Sequence, residues 1–211
     1  HAVYGYGENP TTDILLASYC IDGGPIRRWS RGEPPPADIV AHVTAGGEIV
    51  AHNAAFERLI WQHIATPRYG WPRVEIERFR CSAATAAASS LPRDLARLGA
   101  ALDLAVQKDR EGKKLIDRHS VPCGWRDGAP VFDEDRESLA RFHAYCYRDV
   151  ETEVAAGARI IPLSDQEMRV YWWNERVNDR GLRIDLRSAR AAVELVAKAK
   201  VGFDHEMAEI T

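Results

Sequence analysis

Two short runs in this chain carry residue types that could do hydrolytic chemistry together. In Val50-Ala51-His52-Asn53-Ala54-Ala55-Phe56-Glu57 a short apolar stretch gives way to helical spacing, which sets the Glu57 carboxylate in a first helical turn at the C-terminal edge of a sheet. In Tyr145-Cys146-Tyr147-Arg148-Asp149-Val150 a phenol and a carboxylate lie four residues apart, so one helix presents both from the same face. A phenol can position a water, and a carboxylate can hold a divalent cation. Two-metal hydrolysis of a phosphodiester needs such a set, with carboxylates clamping cations about 4 Å apart. Each residue also has a plainer reading. Asp149 reads as a surface charge between Arg148 and Glu151, Tyr145 as a core lid, Asn53 as a helix cap, and His52 and His143 as structural histidines.

The elements that must position these groups follow from local signals. The first fifty residues read as strands: Ile14 to Ile21 is an apolar run of strand length, Asp22-Gly23-Gly24 a turn, and Pro25 to Trp29 the return strand. Pro34-Pro35-Pro36 precedes a short helix over 37–44, and Glu48 to His52 is a further strand. Phe56, Leu59, Ile60 and Ile64 then fall at helical spacing after Asn53, the expected N-cap. The Ala-rich stretch from Cys81 to Leu102 predicts helix broken at Leu91-Pro92, Gln107 to Ile116 a charged loop and helix, and Pro122 to Pro130 a loop. A long helix follows over about 133–160, with Leu139, Phe142, Cys146, Val150 and Val154 as its apolar stripe. Pro162 ends it. Ser164 and Glu167 form a capping box for the next helix, Gly181 stops that one, and Asp185 caps the last. The result is an α/β chain with a boundary near Pro162, separating 1–162 from a helical 163–211.

Composition bounds the function. The 211 residues include 28 basic and 31 acidic side chains, a formal net charge of −3, which excludes a wholesale basic surface of the histone kind. No apolar run approaches the roughly eighteen residues of a membrane span, and no signal peptide is evident, so a soluble cytoplasmic location is expected. Cys20, Cys81, Cys123 and Cys146 contain no C-x-x-C and are expected to be reduced thiols. Nucleic acid, if held, must be held by a local patch or by metal ions; Arg27-Arg28, Arg78-Arg80 and Lys113-Lys114 are the candidates. The chain begins at His1, not Met, which leaves a preceding segment open.

At this point a resemblance enters. Asn53-x-x-Phe56-Glu57 resembles the second motif of the proofreading 3′–5′ exonucleases with a ribonuclease H-like fold, and Tyr145-x-x-x-Asp149 resembles the third motif of their tyrosine-containing branch. Met168 to Asp185, and within it Glu175 to Asp185, is similar to the segment leading from the exonuclease into the thumb of family A, DNA polymerase I-like, polymerases. Glu8 to Leu15 and Gln107 to Leu115 look most like the bacteriophage or prophage version.

The resemblance implies a ribonuclease H-like mixed sheet flanked by helices, followed by a helical thumb-like extension. It implies that Asp149 and Glu57 hold Mg²⁺ or Mn²⁺, that Tyr145 orients the attacking water, and that Asn53 and Phe56 contact the terminal nucleotides. Lys113 and Lys114 are expected near the path of a single-stranded DNA 3′ end, with a polymerase domain on the C-terminal side and no membrane partner. Two departures qualify it. Glu57 stands where the family usually has Asp, and the family's first motif, Asp-x-Glu on a preceding strand, is not among these residues. The chain alone is therefore expected to be nearly inactive. A catalytically degenerate scaffold or single-strand-binding module is the alternative, and a ribonuclease of the same branch a third.

Overall fold

A computed structural model of the chain describes residues 3–105, 112–133 and 135–210. The expectation of strands from the start is corrected at once, because Val3–Gly7 is a short helix, α1. Gly7 lets it lie close to a later helix, since a Cβ there would sit 3.4 Å from Cβ of Leu59. The Thr12 hydroxyl donates to the Tyr6 carbonyl at 2.7 Å and holds the segment that follows.

Strands β1 (Leu16–Tyr19) and β2 (Arg27–Ser30) then pair antiparallel, Leu16 with Ser30 and Tyr19 with Arg27. The Asp22-Gly23 corner between them takes positive φ at both residues. Helix α2 (Ala37–Thr44) turns Ile39 and Val43 inward, one turn apart, onto Trp29. Trp29 centres this cluster edge-on to Trp71 at 5.5 Å, and its indole N–H reaches the carbonyls of Glu33 and Pro34. An aromatic core anchored by a satisfied indole fixes where the β1–β2 hairpin and α2 meet.

Strand β3 (Ile49–Ala51) leads into α3 (Ala55–Ile60), a π-helical stretch Trp61–Ala65, and α4 (Thr66–Tyr69), which closes on Gly70 at φ +69°. Together these are the crossover that a parallel strand requires. That strand is β4 (Phe79–Cys81), paired with β3 so that Ala51 faces Cys81. It lies where the sequence predicted helix to begin at Cys81; the helix α5 (Ser82–Ala88) starts one residue later. Helix α6 (Leu95–Ala101) follows the expected break, capped by Asp94.

Helix α7 (Gly112–Ser120) precedes a second departure. The stretch expected as a loop is a hairpin of β5 (Gly124–Arg126) and β6 (Ala129–Val131), joined at Asp127-Gly128 with φ of +52° and +79°. Asp-Gly is the pair that a two-residue hairpin turn demands.

Helix α8 (Arg136–Gly157) is capped by Asp135, and its buried residues are Ser138, Phe142, Tyr145, Thr152 and Ala156. This corrects the expected stripe: Val154 is exposed, and small Thr152 and Ala156 face the core instead. The reason is close packing by α6. Gly99 of α6 lies beside Thr152, where an added Cβ would make ordinary contact with Cγ2 at 3.6 Å.

Among the described residues the strands form three separate two-stranded ladders, in place of one continuous mixed sheet. Helix α9 (Asp165–Arg180) opens with the Ser164–Glu167 capping box and ends at Gly181, φ +67°. Asp185 caps α10 (Leu186–Ile210) through its bonds to the backbone N–H groups of Arg187 and Ser188. The chain divides into a compact unit ending at Trp172 and a second beginning at Trp173. Among the described residues no helix is long and apolar enough to cross a membrane. The four cysteines are free thiols.

Candidate active site

The β3–β4 ladder sets the site. Its two strands run the same way, so the residues that leave them, His52 and Ser82, emerge side by side. Asn53 does not cap the next helix as expected. It takes a left-handed turn at φ +71°, Ala54 is the N-cap, and the Asn53 carbonyl accepts from the Phe56 N–H at 2.9 Å. Asn is among the few side chains that tolerate this backbone region, which accounts for its type here. The Asn53 side chain is exposed. Phe56 is partly exposed, with its ring 5.6 Å from that of Tyr6.

Glu57 turns inward from the first turn of α3. Its Oε2 is buried with no hydrogen-bond partner, and burial pushes its carboxyl up to about 7.

Helix α8 supplies the opposing face. Tyr145 is buried, in a cluster with Leu115 and Phe142, its ring parallel to Phe142 at 6.2 Å. Gly112 of α7 lies against that ring: a Cβ there would fall 1.9 Å from Cε2 of Tyr145. Asp149 follows one turn along. One turn further comes Glu153, a residue the sequence reading did not single out. Its Oε1 accepts from the Ser82 hydroxyl at 3.1 Å. Burial, the charge of Glu57 and that of Asp149 together push its carboxyl up to about 8. Glu153 thus feels the charge of Glu57 across α3 and α8 and that of Asp149 along its own helix. The four-residue repeat Tyr145, Asp149, Glu153 is the signal that could have found it.

Glu153 is also the end of a hydrogen-bonded chain. His52 Nε2 lies 2.7 Å from the Arg93 carbonyl, which can only accept, so this nitrogen carries a proton. His52 Nδ1 is 2.9 Å from the Ser82 oxygen. A serine has one proton to give. If it goes to Glu153, Nδ1 must be protonated and His52 is an imidazolium. If Glu153 is itself protonated and donates to Ser82, the hydroxyl turns to Nδ1 and His52 is neutral. Either way these bonds are satisfied only when His52 and Glu153 hold one extra proton between them.

The donor set suits a divalent cation in part. Glu57 Oε2 is a buried oxygen without a hydrogen-bond partner, which a cation could take as a ligand, while burial is the main reason the Glu57 and Glu153 carboxyls resist ionisation. Among the described residues no three His, Cys, Asp or Glu side chains are grouped as a metal-holding set.

The basic candidates divide. Arg27 pairs with Asp38 at 2.7 Å. Arg78 donates to the carbonyls of Gly47 and Val43, and Arg80 pairs with Glu48 and covers the Trp172 ring at 4.9 Å. These arginines tie the fold together. Lys114 is exposed on α7, the helix that covers Tyr145, while Lys108 and the side chain of Lys113 lie outside the described residues.

Over 220 residues the chain is 32% identical to a DNA polymerase of Bacillus phage SP02, an alignment taking in 99% of this chain and 33% of that protein. The chain spans about a third of the length of the curated relative it matches. No family model matches the chain, and no solved structure matches it. The chain is therefore related in sequence to part of a phage DNA polymerase.

Proposed function

We propose that the chain is a proofreading 3′–5′ exonuclease domain of ribonuclease H-like type, associated with a DNA polymerase, and that it hydrolyses the 3′-terminal phosphodiester of single-stranded DNA to release nucleoside monophosphates. The observation that supports this is the proximity of Glu57 on α3 to Glu153 on α8, the helix that carries Tyr145 one turn before Asp149 and Asp149 one turn before Glu153. Similarity to the phage DNA polymerase supports it. Mg²⁺ or Mn²⁺ bound here would supply charge neutralisation and activation of water. Asp149 and Glu57 are the residues that would hold the cations. The Tyr145 hydroxyl orients water, Asn53 and Phe56 hold the terminal nucleotide, and Lys113 and Lys114 meet the backbone. On this reading 163–211 begins the polymerase thumb.

A second reading, a degenerate scaffold or single-strand binder, is favoured by the depth at which Tyr145 is packed beneath Gly112 and by the longer arm of Glu57. Incubation of 5′-labelled single-stranded DNA with the chain and Mn²⁺, beside Asp149→Ala, separates the two. Shortening from the 3′ end that is lost in the variant supports the exonuclease. Strand binding with no shortening by either protein marks the chain alone as a truncated or degenerate proofreading domain rather than a working enzyme.

A further inference from the structure

Trp29, Trp71 and Phe79 bury their rings in the core, but Tyr6 and Phe56 are 45% and 37% exposed. The two stand together, their ring centroids 5.6 Å apart and their planes 32° from parallel. Tyr6 comes from α1 and Phe56 from the first turn of α3, so the docking of one helix on the other brings the rings side by side. That docking runs through Gly7, which is buried and where a Cβ would sit 3.4 Å from Cβ of Leu59. The Thr12 hydroxyl holds the Tyr6 carbonyl at 2.7 Å. Contacts of the backbone thus fix where Tyr6 stands, and much of its ring is left without protein cover.

A two-ring patch is too small for a stable protein partner, which needs about 800 Å² on each side. Its exposed neighbours along the chain, Gly5, Glu8 and Asn53, add no apolar side chain to it. It does match one face of a nucleobase, a flat π surface that aromatic side chains accept whatever the sequence. Asn53, exposed three residues before Phe56, has an amide that both donates and accepts, as the polar edge of a base does. We propose that Tyr6 joins Phe56 in an aromatic platform that stacks the 3′-terminal base of single-stranded DNA. The proposal rests on the function proposed above and adds Tyr6, a residue which that reading leaves without a role. Stacking takes any of the four bases, which suits removal of whatever nucleotide stands at the end.

The test is the affinity of the full chain for 5′-labelled oligodeoxythymidine by fluorescence anisotropy, without divalent cation so that no strand is cut. Tyr6→Leu and Phe56→Leu each keep an apolar side chain but lose a π face. Each should weaken binding about fivefold or more. Their melting temperatures should stay within about 4 °C of the unmodified chain. Tyr6→Phe, which keeps the ring, should bind within about twofold of the unmodified chain. On the same strand ending in an abasic 3′ residue, Tyr6→Leu should cost nothing further, because the base it would stack is gone. Undiminished affinity in Tyr6→Leu would overturn the proposal. So would an equal loss on the abasic strand, a loss in Tyr6→Phe as large as in Tyr6→Leu, or melting losses that track the affinity losses. These outcomes leave the proposed function standing, whereas an unmodified chain that binds no single-stranded DNA would overturn that function and this proposal together.

Discussion

Glu57 on α3 and Glu153 on α8 face one another closely enough that the charge of the first makes the second harder to ionise. Two carboxylates brought together from separate helices, both shielded from water, work against the stability of the fold unless something offsets their charge.

The first expectation is a pH dependence. Both carboxyls hold their protons more tightly when folded, Glu57 up to about 7 and Glu153 up to about 8. The native chain therefore binds more protons than the unfolded one between about pH 5 and 8, and stability falls as pH rises through that window. The free energy of unfolding in urea should fall by several kcal/mol from the lower end of the window to the upper, and by less in Glu153→Gln. A flat or rising profile would contradict the crowding of these two groups.

Divalent cations should reverse that penalty. Mg²⁺ or Mn²⁺ competes with protons for the same oxygens, so the rise in melting temperature on adding millimolar cation should be larger at pH 8 than at pH 6. A chelator should abolish it, and Asp149→Asn should blunt it. Equal shifts at both pH values would indicate binding elsewhere.

Gly112→Ala tests the packing over Tyr145. The new Cβ would collide with the phenol ring, so the ring or α7 must shift. A cost of about 1–3 kcal/mol in urea unfolding is expected. Unchanged stability would mean that α7 can shift freely over α8.

The α7 lysines test the path of the strand. Replacing Lys113 and Lys114 together by Ala should weaken binding to single-stranded DNA and lower the slope of log affinity against log salt by about 1.4, roughly 0.7 for each phosphate no longer neutralised. An unchanged slope would place the strand elsewhere.

Much of the fold is legible wherever the signal is local. The 37–44 helix, the Ser164–Glu167 box, Gly181 and Asp185 are all readable because each rests on residues within one turn of one another. The Asp127-Gly128 hairpin is equally local, although the turn-rich stretch around it reads as a loop. Strand β4 is a different matter. Three residues, one of them Arg80, form a strand only because β3 lies beside them, and nothing within the segment announces that. The site divides the same way. Tyr145 and Asp149 stand out by spacing along one helix, whereas the bond of Glu153 to Ser82 joins positions 71 residues apart. The face that α8 buries departs from its apolar stripe where small Thr152 and Ala156 pack toward α6, a contact between distant segments that the stripe does not announce.

That long-range link has a kinetic consequence. Contacts between distant segments close after local helices and hairpins have formed, because the loop entropy must first be overcome. The face of α8 that carries Glu153 is thus expected to meet Glu57 late in folding, after the step that limits its rate. A cation seated between them would act almost wholly on escape from the native state, lengthening its lifetime while the refolding rate stays where it was.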